Sequence, residues 1–450
     1  MSDTESSCEF LNLNQMSLED LEKTKKTANF QIEVRLRKNV PKSITQSRAS
    51  DIASFLRERI PNARNWKPVV WEQQTESISD IDAETSPVSF LLEKILIGSC
   101  QVNDGERLEE YIDSILTASN NIHTYKLNAD GPFSQNIGDE EDNIVGSQLW
   151  QLPCVEFENI FENLIYDSNL KNEILSYVYA LIHLSEKHVN SKIISVNRLI
   201  LLTGPPGTGK TSLCKGIAQH LAIRLNNRYS HSVMFEINSH SLFSKWFSES
   251  GKLVQSMFDQ IYDLAEDPKT MVFVLIDEVE SLGMCRENSS SRGEPADAIR
   301  AVNALLTQID RVRRKENVLI LCTSNLENSL DRALIDRADI VRNVGEPSSL
   351  ALYSILKSCV NEMIRIKVVT AGDHEVLEDV TNKDIASINK ASRFLLEIAN
   401  KSRGLSGRAI TMLPTVVCSK SLDNTMDLRT CLEYFDVVVK ERKMRQIDKH

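Results

Sequence analysis

The chain reads as an α/β protein: a parallel sheet with helices on both faces, a helical lobe after it and a small α+β domain before it. Three observations lead there. Four short apolar runs, at 199–202, 233–237, 272–276 and 318–322, punctuate the middle of the chain. Amphipathic helical patterns separate them, as in Val254, Met257, Phe258, Ile261 and Ala265. Buried strands alternating with helices form parallel sheets covered on both sides. Beyond Pro347 the pattern is helix-dominated, over 350–364, 392–402 and 408–417.

In chain order, residues 1–28 are polar and weakly patterned, the composition of a flexible tail. Phe30, Ile32, Val34 and Leu36 then alternate with Gln31, Glu33 and Arg35, the period of a half-buried strand. Ile52, Phe55, Leu56 and Ile60 keep helical spacing until Pro61 ends it, and 88–97 is a further apolar segment. Residues 29–125 are therefore expected to form the small α+β domain, which carries no chemistry of its own that can be read. Residues 126–147 hold Asp130-Gly131-Pro132 and the acidic run Asp139-Glu140-Glu141-Asp142, the composition of a linker. Helical spacing from 160 to 184 opens the sheet domain, expected over 148–347, and the helical lobe takes 348–450.

With 450 residues, 41% hydrophobic and 26% charged, the chain suits roughly two to four soluble domains. A net charge of −11 gives no long-range attraction for nucleic-acid phosphates. The short cluster Arg311, Arg313, Arg314 and Lys315 reads as a solvated helix end. Nine cysteines form no Cys-x-x-Cys pair, and no histidine cluster has zinc spacing, which fits a reducing compartment. The first residues contain no apolar signal segment and no run is long enough to span a bilayer, so an intracellular soluble protein without a membrane partner is expected.

The chemistry begins at Gly204-Pro205-Pro206-Gly207-Thr208-Gly209-Lys210-Thr211, followed by Ser212. It lies between the apolar run 199–202 and a helical pattern of Leu213, Ile217 and Leu221. Strand, glycine-rich turn and helix make a phosphate cradle, in which backbone N–H groups and the helix dipole meet polyphosphate oxygens. Lys210 can reach the β- and γ-phosphates, and the Thr211 hydroxyl can bind Mg²⁺. The run 272–276 ends in Asp277 and Glu278. Asp277 is expected beside Mg²⁺ through water, and Glu278 is expected to polarise the attacking water. The run 318–322 leads to Asn325, which suits a hydrogen bond to that water or to the γ-phosphate; a turn-forming Asn is the bland alternative. Guanine recognition calls for Asn-Lys-x-Asp after a strand, whereas this strand ends Thr-Ser-Asn-Leu, so ATP is favoured over GTP.

These strand ends together resemble the AAA+ ATPases. The segments 238–252, 275–282, Asp336-Arg337-Ala338-Asp339-Ile340 and Gly404-Leu405-Ser406-Gly407-Arg408 are similar, more narrowly, to the pachytene checkpoint protein 2 and thyroid receptor-interacting protein 13 family of HORMA-domain remodellers. The likeness is dense over 148–347, patchy in the linker and weak before residue 100. It implies an AAA+ domain with a helical lid, and a homo-hexamer with ATP between subunits. Lys245, Trp246 and Phe247 match the first pore loop, which grips substrate in the central channel; on burial alone the aromatic pair suits a packed loop anchor. Residues 285–295 suit a second pore loop or a plain surface loop. Arg337 stands where the family has its arginine finger, although Asp336 and Asp339 flank it, no second arginine follows closely, and Arg332 is an alternative. Arg408 matches the second nucleotide sensor.

By the same resemblance the client is a HORMA-domain protein presented by an adaptor, with 29–125 as the dock. Closed HORMA proteins would be opened in spindle-checkpoint silencing and in control of the meiotic chromosome axis. The expected setting is the nucleus and chromosomes, with a possible cytoplasmic or kinetochore pool. Action on other protein complexes, a non-hydrolysing ATP-binding scaffold and a nucleic-acid motor are the rival readings, the last disfavoured by the net charge.

Overall fold

Alternating residues of the central strands go to opposite faces of one sheet, and each face is buried under its own helices. The computed structural model describes residues 30–38, 69–72, 92–99, 122–136, 145–167, 169–187, 189–190, 193–194, 196–239, 250–281, 296–326, 330–372, 377–378, 380, 388–421 and 425–447. The chain divides into two units, Met1–Lys126 and Leu127–His450.

In the first unit, β1 (Phe30–Leu36), β2 (Val69–Glu72), β3 (Leu92–Ser99) and β4 (Ile122–Tyr125) form a sheet of order β2-β3-β1-β4. β1 runs antiparallel to β3 and parallel to β4. Ile32, Val34 and Leu36 are buried as the alternation requires, but Glu33, Lys94 and His123 are buried too. Both faces of β1, and positions on its neighbours β3 and β4, are therefore covered more fully than the alternation predicts. The tail 1–28 and the helix expected over 52–60 lie outside the described residues.

The second unit starts with a hairpin, β5 (Phe133–Asn136) antiparallel to β6 (Val145–Leu152), which includes residues of linker composition. Then come α1 (Ile160–Asn163), α2 (Leu170–Glu186), β7 (Leu199–Thr203), α3 (Lys210–Arg224), β8 (His231–Asn238), α4 (Ser250–Leu264), β9 (Thr270–Asp277), α5 (Ala296–Val312), β10 (Val318–Thr323), α6 (Arg332–Ile335) and β11 (Ile340–Asn343). The seven-stranded sheet has order β11-β7-β10-β9-β8-β6-β5. Neighbours from β11 to β8 are parallel, whereas β6 is antiparallel to β8. The hairpin covers an edge of β8 that would otherwise expose unpaired backbone. Trp150 Nε1 helps to fix it by donating to Glu236 Oε2, 3.0 Å.

Leu199, Leu201, Val272, Val274 and Ile276 pack with Val254, Phe258 and Ile261 of α4 and Leu305 and Ile309 of α5. Ile200, Leu202, Phe273 and Leu275 pack instead with Ile174 and Val178 of α2 and Leu213, Ile217 and Leu221 of α3. The two-residue strand period divides them in this way. The helical spacing from 160 to 184 is broken in the structure between α1 and α2. Leu164 is extended, and the Tyr166 hydroxyl donates to the Gly209 carbonyl, 3.2 Å, so contact with the phosphate loop overrides the local period.

The helical lobe comprises α7 (Ser349–Arg365), β12 (Val369–Thr370), α8 (Lys390–Lys401), α9 (Gly407–Thr411), α10 (Leu413–Cys418), β13 (Met426–Asp427) and α11 (Leu428–Ile447), around a core that includes Leu352, Leu356, Leu395, Leu405 and Phe435. The helix read over 408–417 is two helices, because Pro414 stands at the start of the second and lacks the N–H that would continue the first. Among the described residues no helix is long and apolar enough to cross a membrane.

Candidate active site

The turn from β7 into α3 depends on Gly204, whose φ is +134°. A Cβ there would stand 2.2 Å from the Val344 carbonyl oxygen, and the Val344 N–H donates to Thr203 O, 2.7 Å, which locks that carbonyl in place. Gly204→Ala must displace backbone and strain the cradle by about 1–3 kcal/mol. We expect a lower Tm and at least about tenfold weaker binding of an ATP analogue, read by differential scanning fluorimetry and calorimetry. Wild-type affinity in that variant would count against a cradle built on this close approach.

Gly207, at φ +78°, brings the loop against the helical lobe. Its carbonyl accepts from the Arg408 N–H, 3.2 Å, and a Cβ would lie 2.7 Å from Ser406 Oγ. The same Ser406 hydroxyl caps α9 by accepting from the Ala409 N–H. Arg408 thus reaches the cleft from the lobe, while the phosphate loop reaches it from the sheet.

Lys210 is buried at the first turn of α3, and its Nζ donates to the Gly204 and Pro205 carbonyls, both 2.8 Å. Burial lowers the affinity of this ammonium for its proton, and the charges of Glu280 and Asp277 oppose that shift. The Thr211 hydroxyl donates to Asp277, 2.9 Å to Oδ1, and the Thr323 hydroxyl also bonds this carboxylate. Among the described residues no three His, Cys, Asp or Glu side chains cluster as a metal site. One hydroxyl beside one carboxylate is nevertheless a donor set that suits Mg²⁺, which is ordinarily completed by waters and substrate phosphates.

Glu278 adopts φ +59°, a left-handed backbone that non-glycine residues enter rarely. Three bonds hold it there. Its N–H donates to Thr323 Oγ1, 3.3 Å; the next N–H, of Val279, donates to Thr323 O, 3.0 Å; and its own carbonyl lies 2.6 Å from Ser239 Oγ. Strain maintained at a strand end beside a cleft is a mark of functional sites. Asn325 donates from Nδ2 to Glu280 Oε1, 3.0 Å.

A cleft of about 900 Å³ collects these groups. Pro206, Gly207, Thr208, Gly209, Lys210, Thr211, Ser212, Asp277, Glu278, Asn325 and Arg408 all line it; Gly204 and Pro205 stand behind, holding Lys210. Ile160, Leu164, Tyr166, Leu170 and Ile355 add an apolar wall suited to a planar base. Sequence reasoning missed that wall and missed Glu280. Tyr166 has no local signal, but the acidic residue at 280 lies close enough to Asp277 to have been considered.

Arg337 is elsewhere. Its Nε and Nη2 grip both oxygens of Asp310, 2.9 and 2.8 Å, and its Nη1 donates to Ala333 O. The guanidinium holds the Asp310 carboxyl below its usual range. The carboxylate that grips Arg337 is thus Asp310, 27 residues upstream, while flanking Asp339 accepts from the Tyr177 hydroxyl and from the Arg198 and Asn197 N–H groups. Neither Arg337 nor Arg332 lines the cleft of its own chain. Lys245, Trp246 and Phe247, and the whole of the second loop at 285–295, lie outside the described residues.

Three family profiles match this sequence: the Pch2 N-terminal domain over 26–127, the ATPase family associated with various cellular activities (AAA) over 200–346, and the TRIP13-like AAA+ ATPase lid C-terminal domain over 348–443. The chain is 61% identical over 430 residues to a putative pachytene checkpoint protein 2 from Caenorhabditis elegans, covering 94% of this chain and 99% of that protein. It is 48% identical over 300 residues to the human pachytene checkpoint protein 2 homolog, covering 65% of this chain and 68% of that one. A solved structure of C. elegans PCH-2 superposes with a TM-score of 0.76 at 55% identity, covering 93% of this chain and 100% of that one.

Proposed function

The chain belongs to the pachytene checkpoint protein 2 family of AAA ATPases, and from that premise we propose that it is a hexameric, Mg²⁺-dependent ATPase that opens closed HORMA-domain proteins. The observation that carries the ATPase part is the convergence in one cleft of Lys210, the Thr211–Asp277 pair, Glu278, Asn325 and Arg408, drawn from both lobes.

Lys210 exchanges its two backbone carbonyl partners for the β- and γ-phosphates of ATP. Thr211, and Asp277 through water, would hold Mg²⁺, which would neutralise charge on the phosphate oxygens. Glu278 takes a proton from the attacking water, and Asn325 contacts that water or the γ-phosphate. Arg408 ties the lid to the nucleotide. Arg337 serves the ATP of a neighbouring copy, with Arg332 as the alternative finger; either must be presented in trans, since neither lines its own cleft. Ser239, whose hydroxyl reaches the carbonyls of Asp277 and Glu278, stands six residues before Lys245, which Trp246 and Phe247 follow. A change at the strand end can thereby reach the residues that grip the client.

The family resemblance supports residues 29–125 as the dock for an adaptor and its HORMA client. It likewise supports roles in spindle-checkpoint silencing and meiosis, and residence in the nucleus and on chromosomes with a cytoplasmic or kinetochore pool. Opening one part of a client demands less than the roughly 5–15 kcal/mol of global unfolding.

The decisive experiment measures ATP turnover and HORMA opening together, with adaptor present and across protein concentration. Trp246→Ala is expected to keep ATP turnover within about threefold while slowing client opening about thirtyfold, as loss of an aromatic anchor worth about 2 kcal/mol implies. Client opening at the wild-type rate in that variant would remove the threading reading. A wild-type chain that binds ATP without turning it over would leave only a scaffold.

A further inference from the structure

Glu280 does not line the cleft and is only 9% exposed, yet its carboxylate meets Asn325, which does line it. Its Oε1 accepts from Asn325 Nδ2, while its Oε2 is buried with no hydrogen-bond partner among the described residues. Burying a carboxylate with one oxygen unsatisfied is unfavourable, and such a group persists where it does something specific. An ionised carboxylate only accepts, and an amide donates at one end and accepts at the other. Turning the Asn325 amide over would set oxygen against oxygen. Facing Glu280, therefore, the amide has one stable orientation.

We propose that Glu280 is the positioning residue for Asn325, fixing its amide so that the cleft meets the carbonyl oxygen and the remaining amino hydrogen in one arrangement. The inference rests on the ATPase reading above and adds to it a group that acts through Asn325 without touching substrate. A second route is open to Glu280, because its charge also bears on Lys210. The two routes separate in kinetics: Asn325 acts on turnover, and Lys210 acts on nucleotide affinity.

The test uses the full chain, with steady-state ATP hydrolysis and equilibrium binding of a fluorescent ATP analogue measured for Glu280→Ala, Asn325→Ala, the double variant and Glu280→Gln. Glu280→Ala is expected to lower kcat about tenfold to a hundredfold, the scale of a catalytic group displaced by an ångström, with analogue Kd changed less than about threefold. The double variant is expected to be no slower than Asn325→Ala alone, because both substitutions remove one interaction. Glu280→Gln, which keeps an acceptor oxygen but can also donate and so no longer dictates one orientation, recovers only part of the loss. Losses that multiply in the double variant overturn the proposal, as does a Kd that weakens in step with kcat.

Should Glu280→Ala not fold, Asn325→Asp replaces it. Two facing carboxylates slow turnover, and adding Glu280→Gln, whose amide donates to the new carboxylate, relieves the defect; equal rates for those two variants overturn the proposal. A wild-type chain with no ATP turnover brings down the proposed function and this inference together. A hydrolysing wild type with an equally fast Glu280→Ala brings down this inference alone.

Discussion

Glu278→Gln is expected to bind ATP as tightly as the wild type and to hydrolyse it about a thousandfold more slowly. The amide has nearly the shape of the carboxylate but cannot take a proton, and general-base catalysis is ordinarily worth about 10²–10⁴. The bonds that fix the residue are all made by its backbone and its neighbours, through Thr323 and Ser239. Nothing in the exchange of oxygen for nitrogen at the side-chain tip disturbs them, so the left-handed turn should persist. Phosphate release under single turnover, together with equilibrium binding of labelled ATP, measures both quantities. A fall in affinity matching the fall in rate would show that Glu278 supports the cradle instead of the chemistry.

Lys210→Met gives the opposite pattern: nucleotide binding fails and the fold survives. Hydrogen bonds to charged groups contribute about 1.5–3 kcal/mol each, so losing the ammonium is expected to weaken ATP binding at least about a hundredfold. The fold loses less, because removing a buried ammonium also removes its desolvation penalty, the same burial that lowers its proton affinity. The readout is ligand-induced thermal stabilisation. At 100 times its Kd, ATP stabilises the wild type by about 2.7 kcal/mol, and at that concentration the variant should show less than half of this shift. A full shift in the variant would mean that the backbone N–H groups alone hold the polyphosphate.

These two residues were legible in the sequence because each lies in a short local pattern. The phosphate loop is an unbroken run of residues, and Asp277 and Glu278 close an apolar strand. Strands at 199–202, 233–237, 272–276 and 318–322 were legible for the same reason, since continuous burial leaves continuous apolar runs. The obscure features depend on distant partners. The β5–β6 hairpin carries Gly, Pro and a nearby acidic run, and only the open edge of β8 gives its residues a reason to be strand. The break after α1 comes from contact with Gly209, more than forty residues away. Asp310, which grips Arg337, lies on α5, whereas the arginine stands in the turn after α6, so flanking aspartates misdirect a local reading. Glu280 gains its meaning only once β9 and β10 lie side by side and bring Asn325 to it.

The meeting of Gly207 with Ser406 and Arg408 has a mechanical consequence. A Cβ at residue 207 would stand 2.7 Å from Ser406 Oγ and 3.0 Å from Ser406 Cβ, so any larger residue there must push the phosphate loop and the lid apart. The glycine is the spacer of that seam: how near the two lobes stand at the cleft is set by a side chain that is missing from one position.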